Sequence, residues 1–513
     1  MRLALIDAGG AELTGLDVRV LVAAATGVAA TVLLKWHQRP SITSARTDPL
    51  AHEVFLEWGK STLEWIAAYR QRCNELPVRS QVKPNYMREL VPAEAPEAPE
   101  PWGAIMADLD RVIVPGLTHW EASSRFFAYF KPHASYPAVL GELLCAGLNV
   151  MGFDWIASPA CTELETTVLH WLGRLLNLPP RLLPFGDGPG GAVIQGSAGE
   201  ATIVAFLAAM QAHRTRSRGD MVVYCSDQTH AIVTKACMVL GVGHLVEIAT
   251  TAQGGWALAP AVLAERIARD RAAGLVPVAA VATCGSTTSC AFDDVVGIAD
   301  VCEAEGVWLH IDGAYGGAYA CLDELAPAFK GLDRVDSFVV NCHKKLLCPF
   351  DLSALYLADR RPVLDALSLQ PEYLRNDASD SNAVIDYEHW QMPLGRRFRA
   401  LKLWFVLRSL GAARVREHLR RGVALRERFV EYVEADPRVE LAAPPSLSLC
   451  CFRVVGCDDQ GQLAFLRRVN ATGKCFIIHS KLGGRVLLRF ACGGLEQSEA
   501  DVDNAWQCIK GEL

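Results

Sequence analysis

Between Met221 and Val340 the chain alternates between two hydrophobic patterns, and that alternation restricts its architecture. Short apolar runs rich in β-branched residues occur at 221–225 (MVVYC), 278–283 (VAAVAT), 307–311 (VWLHI) and 338–340. Helical stretches lie between them, at 261–273 closed by Gly274 and at 294–305 closed by Gly306. Unbroken apolar strands that alternate with helices predict a mostly parallel sheet covered on both faces. The order changes after residue 360. A long helix over 396–410, a further helical stretch and strand-like runs at 447–455 and 486–490 predict a second, smaller α+β unit.

Composition excludes several classes. The 513 residues are 51% hydrophobic and 21% charged, so wholesale disorder is ruled out. A net charge of −7 gives no support for nucleic-acid or anionic-membrane binding. The 17 cysteines are scattered without a CxxC pair or zinc-ligand spacing. That predicts reduced thiols in a cytoplasmic protein, with no metal site. Residues 20–34 (VLVAAATGVAATVLL) are uncharged but shorter than the roughly 20 residues a spanning helix needs. They are expected to form a packed helix rather than a membrane anchor. A helical pattern starts at Glu53, the segment 92–101 (PAEAPEAPEP) reads as an extended connector, and Ser158 caps a helix that Pro179 stops.

Ligand sites of open α/β sheets gather beyond the carboxyl ends of the strands. The residues there are Asp312 in HIDGAY, Asn341-Cys342-His343-Lys344-Lys345, Ser226 through His230, and Cys284 through Thr288. Gly196-Ser197-Ala198-Gly199 opens a helix, which offers free N–H groups and a hydroxyl to an anion. A lysine can form a Schiff base, a buried aspartate can keep a pyridine nitrogen protonated, and a histidine can stack on a flat ring. These are the requirements of pyridoxal 5′-phosphate. The GxGxxG match at 186–191 precedes a strand instead of following one, so it is not a dinucleotide site.

From about Pro49 to the C-terminus the chain resembles the group II pyridoxal-phosphate decarboxylases, specifically the aromatic-L-amino-acid decarboxylases. The resemblance rests on PGLTHW (115–120), RFFAYF (125–130), GFDWIASPACTELE (152–165), VIQGSAGEAT (193–202), YCSDQTH (224–230), HIDGAY (310–315), NCHK (341–344) and WQMPLGRRFRALKLWFVLR (390–408). It implies a fold-type I homodimer with active sites at the subunit interface. It implies an N-terminal extension over 1–48, a helical dimerisation segment over 49–130, a large cofactor-binding domain over 131–360 and a small domain over 361–513.

Roles follow from the resemblance. Lys344 is the Schiff-base lysine, Asp312 partners the pyridine nitrogen, and Ala314 packs under the ring with His230 on the other face. Ser197, Ala198, Asn341 and His343 hold the phosphate, with Thr287 beside the ring. Trp120, Tyr129 and Phe130, with Phe153 from the partner subunit, form an aromatic side-chain pocket. Tyr373, on a polar loop over 371–384, is the acid that protonates Cα after CO₂ leaves. Family members with Phe there are aldehyde synthases, so Tyr373 with His230 implies plain decarboxylation. Gly395 matches a position where members that take bulky rings carry Gly and histidine decarboxylases carry Ser. The implied substrate is tryptophan, tyrosine, dihydroxyphenylalanine or phenylalanine.

Some positions depart from the family pattern. Lys345 stands for the usual Trp, Gly199 for a common Ser, Glu121 for a His and Lys131-Pro132 for Pro-Thr. Lys345 is expected to face solvent, and Glu121, Lys131 and His133 to lie near the substrate entrance. The alternatives are an aldehyde synthase, a decarboxylase of a non-aromatic amino acid, or a cofactor-free dimeric binding protein.

Overall fold

The computed structural model describes residues 48–186, 188–369 and 384–513. The apolar segment 20–34 and Tyr373 fall outside them. The chain divides into two compact units, Met1–Ala67 with Glu94–Asp108, and Ala68–Ala93 with Leu109–Leu513. Helix α1 (His52–Arg72) begins in the first. There Trp58 stacks on Trp102 at 4.5 Å, and Trp102 Nε1 donates to Ser61 Oγ at 3.0 Å. The 92–101 connector is exposed and irregular, as its alternating prolines require.

The second unit holds a seven-stranded sheet in the order β1-β7-β6-β5-β4-β2-β3. Its strands are β1 (Gly191–Gln195), β2 (Met221–Ser226), β3 (His244–Ile248), β4 (Val276–Thr283), β5 (Trp308–Asp312), β6 (Ser337–Asn341) and β7 (Ser353–Leu357). Pairs among β2 to β6 are parallel, and β7 runs antiparallel between β6 and β1. The four apolar runs are therefore strands, each within two residues of its expected ends. β3 escaped the sequence reading because it lies at the sheet edge, where His244 and Glu247 are exposed and break the apolar run.

Helices cover the sheet: α2 (Tyr136–Leu148), α3 (Pro159–Leu175), α4 (Ala198–Gln211), α5 (Pro260–Ala272) and α6 (Val295–Glu305). Ser158 Oγ caps α3 by accepting from Cys161 N–H at 3.3 Å. Beyond α7 (Cys342–Lys345), the long helical run α8 (Ala400–Ala435) changes direction at Gly411, whose φ of 70° and ψ of 165° no helix contains. This break lies one residue past the expected end of the first helix. A four-stranded antiparallel sheet follows, in the order β10-β11-β9-β8: β8 (Val439–Leu441), β9 (Leu449–Val454), β10 (Ile478–Leu482) and β11 (Arg485–Ala491). Phe429, Phe452, Phe465, Phe490 and Trp506 form its core.

A buried ion pair ties α3 and β1 to the segment that precedes α8. Arg396 Nη2 donates to Glu165 Oε1 from α3, and both residues are 4% exposed. Glu165 also accepts Ile194 N–H from β1 at 2.8 Å, and Arg396 donates to Gln391 Oε1 at 2.7 Å. Removing one partner strands the other charge in the core. Arg396→Met is expected to cost about 3–5 kcal/mol, read as a lowered denaturant midpoint at unchanged slope.

Candidate active site

Strand register brings the chemistry together. Asp312, the last residue of β5, pairs in register with Thr283 of β4 and Val339 of β6. The loops beyond are stitched by backbone bonds, Gly313 N–H to Val339 O at 3.0 Å and Asn341 N–H to Ala314 O at 3.1 Å. β1 delivers Ser197 to the same edge, at the start of α4. The outcome is a cavity of about 280 Å³ at the carboxyl ends of the strands.

Every residue expected around the cofactor lines this cavity. Ser197, Ala198, His230, Thr287, Asp312, Ala314, Asn341, His343 and Lys344 all belong to its wall. Ser197 Oγ accepts Glu200 N–H at 3.2 Å, so the Ala198 and Gly199 amides are the ones left for an anion. Gly199 has a steric reason to lack a side chain, since a Cβ there would lie 2.7 Å from Ile232 Cδ1.

Hydrogen bonds set the orientation of the polar groups. Asp312 Oδ1 accepts Ala314 N–H at 3.0 Å. His343 Nδ1 accepts Leu352 N–H at 3.1 Å, which leaves Nε2 as the protonated, donating nitrogen. His230 is set the same way, its Nδ1 accepting Ile232 N–H at 3.1 Å. Asn341 Oδ1 accepts from Ser353 Oγ at 2.5 Å, so its amide NH₂ is available as a donor.

Burial sets the charge states. It lowers the Lys344 pKa below the ordinary lysine value; Asp312 opposes the shift and Arg489 adds to it. A lysine so shifted reaches its nucleophilic, neutral form more easily. Burial lowers His343 to about 4, and nearby Lys344 pushes the same way, so the ring is a neutral donor at physiological pH. His230 is lowered too, by burial first, with Asp312 raising it and Lys344 lowering it.

The expected aromatic pocket is divided within one chain. Phe130 stacks on Tyr315 of the cavity wall with ring centroids 3.5 Å apart, and Trp120 stacks on Tyr129 at 5.0 Å. Phe153 and Gly395 belong to a different cluster. Gly152 N–H bonds Arg396 O at 3.2 Å, and a Cβ on Gly395 would sit 3.2 Å from Met151 Sδ.

One expectation is corrected. Lys345 does not face solvent. It is 3% exposed, and its Nζ donates to Cys492 O at 2.9 Å and Gly493 O at 3.3 Å. Successive residues of a helix point about 100° apart, so the turn that aims Lys344 at the cavity aims Lys345 away from it. Lys131 and His133 are both buried, with Glu121 beside them.

The sequence reading also missed residues. Tyr315, Phe350 and Thr283 line the cavity, and the buried Oγ1 of Thr283 has no partner among the described residues. Arg489 lies 4.8 Å from the centroid of the Phe130 ring, with Nε and Nη2 buried and unpartnered among those residues. A charge inside the apolar run RVLLRFA was the available signal. A carboxylate, a readily neutralised lysine, an open helix N-terminus, neutral imidazole donors and an unsatisfied hydroxyl fit a flat, phosphate-bearing pyridine aldehyde.

Comparison with known proteins agrees. The pyridoxal-dependent decarboxylase conserved domain matches residues 84–455. A 3,4-dihydroxyphenylacetaldehyde synthase of Drosophila melanogaster is 42% identical over 472 residues, 90% of this chain and 91% of that protein. An aromatic-L-amino-acid decarboxylase of Rattus norvegicus is 40% identical over 468 residues, 89% of this chain and 96% of that one. The crystal structure of Oryza sativa TDC with PLP and tryptamine superposes with a TM-score of 0.89 at 37% identity, covering 91% of this chain and 99% of that one. The chain belongs to the pyridoxal-dependent decarboxylases and is an enzyme of that family, with pyridoxal 5′-phosphate as its cofactor.

Proposed function

We propose that the protein decarboxylates an aromatic L-amino acid, tryptophan, tyrosine, dihydroxyphenylalanine or phenylalanine, to its amine and CO₂. The observation that carries this reading is the stack of Phe130 on Tyr315, a residue of the cavity wall. The rat relative named as an aromatic-L-amino-acid decarboxylase supports it.

The bound cofactor supplies the electron sink for the pair left behind when CO₂ departs. The chain's residues do the rest. Lys344, with its lowered pKa, would hold the cofactor. Asp312 keeps a proton on the pyridine nitrogen, and the N-terminus of α4, with Asn341 and His343, holds the phosphate. His230 and Ala314 would hold the cofactor ring, with Thr287 as a further wall residue. Tyr373, outside the described residues, delivers the proton to Cα.

We assign the assembly as a homodimer in the cytoplasm. Leu140, Leu143, Leu144 and Leu148 of α2, with Met151, Ile156, Met392 and Leu394, leave large side chains exposed on the isolated chain. A monomer rarely leaves so many apolar side chains uncovered. A second copy would also bring its Phe153 and Gly395 to the pocket of the first. All 17 cysteines are free, in keeping with a reducing compartment. Among the described residues no helix is long and apolar enough to cross a membrane.

A second reading is favoured by similarity to the Drosophila melanogaster aldehyde synthase. In that reaction the amino acid, O₂ and water give aldehyde, CO₂, ammonia and H₂O₂. Product analysis with each aromatic amino acid separates the two. Amine without peroxide is the expected result, and aldehyde with equimolar peroxide from the wild type would overturn the first reading. Tyr373→Phe is expected to lose amine and gain aldehyde with peroxide.

Three further outcomes test the site. Lys344→Ala should abolish the visible absorption band of added cofactor and its fixation by borohydride. Asp312→Asn should retain bound cofactor while turnover falls by roughly a hundredfold or more. Gly395→Ser should lower kcat/KM for tryptophan more than for smaller rings, because the added side chain takes up room beside Met151.

A further inference from the structure

Three of the positions that depart from the family pattern converge on one buried cluster behind the active site. Lys345 and Lys131 are each under 5% exposed, and the Glu121 side chain is 9% exposed. The two ammonium groups lie against the turn that follows β11. A Cβ on Gly493 would be 2.7 Å from Lys345 Nζ, and one on Gly494 would be 2.5 Å from Lys131 Nζ. Glu121 Oε1 accepts Leu495 N–H at 2.8 Å from the same turn. The two lysines grip different segments. Lys131 Nζ bonds Phe126 O at 3.3 Å, while Lys345 Nζ bonds Cys492 O and Gly493 O. On the other side, His133 N–H bonds His343 O at 3.0 Å.

We propose that Lys345 is a positioning residue: by clamping the Cys492–Gly493 turn onto α7, it holds His343 and Lys344 in place at the cavity wall. This rests on the reading of Lys344 as the cofactor lysine. Folding does not account for the residue well. Lys131 and Lys345 are both buried against Glu121, with Asp501 acting on Lys131 and Arg70 on Glu121, and taking these charges out of water costs stability unless each is closely paired. Burial, then Lys131, pushes Lys345 down from 10.5 to about 7; Cys492, Glu121 and Cys290 oppose the shift. His133, His418 with neighbouring Arg421, and Tyr315 also face the cluster. The unfolded chain therefore binds more protons than the folded one between about pH 7 and 10.5, and Lys345 makes stability rise with pH across that window.

The test compares cofactor-loaded wild type, Lys345→Met and Lys131→Met. It reads the cofactor dissociation constant, the visible spectrum against pH, and the melting temperature against pH. Lys345→Met removes one of the two buried ammonium groups. It is expected to melt at or above the wild-type temperature near neutrality and to lack the wild-type rise toward alkaline pH. It is also expected to bind cofactor roughly tenfold more weakly, the scale on which a supporting group behind a ligand acts. Lys131→Met should bind cofactor as the wild type does. Equal cofactor affinity and spectra in Lys345→Met and wild type would overturn the proposal, as would an insoluble Lys345→Met or the same loss in Lys131→Met. A wild type that takes up no cofactor would instead overturn the reading of Lys344 itself.

Discussion

The pairing of β4, β5 and β6 is the constraint on which the site depends. Three parallel strands in register put Thr283, Asp312 and Val339 side by side, and the chain turns into loops immediately beyond. A slip of one residue would send Asp312 to the opposite face of the sheet. The strands are buried throughout, apart from half-buried Trp308 at the start of β5, so the hydrophobic pattern specifies that register strongly. The reactive groups lie at the end of this buried framework, with the amide bonds from Gly313 and Asn341 as the first contacts beyond it.

Burial then acts on each group according to its charge. It holds His343 and His230 neutral and pulls Lys344 downward, while the nearby carboxylate of Asp312 limits that pull. One environment thus prepares a nucleophile and two neutral donors. The same desolvation acts on Lys345, which faces the other way. Two adjacent lysines in a four-residue helix therefore have different surroundings and different work.

The sequence made the sheet legible where the chain is apolar without interruption. β2, β4, β5 and β6 are of this kind, and the residues after them are the ones that line the cavity. β3 was hidden by its polar edge positions, and β7 by its return antiparallel to the pattern that predicted its neighbours. The break at Gly411 was legible as the end of one helix and the start of another. Lys345 was misread because a charge run suggests solvent, and nothing local shows that a glycine pair 148 residues away leaves room for an ammonium. Arg489 was passed over for the same reason: its setting is made by Phe130 and Ala128, distant in the chain.

Gly493 and Gly494 have a consequence for how this chain can change. Each lacks a side chain where a lysine nitrogen lies within van der Waals reach. Position 345 is thus sterically tied to 493, and 131 to 494, although they are scattered over the sequence. Gly493 also has a φ of 91°, which disfavours a side chain whatever the space, so shortening Lys345 alone would not open that position to other residues, whereas at Gly494 the flexible end of Lys131 is the nearest obstacle.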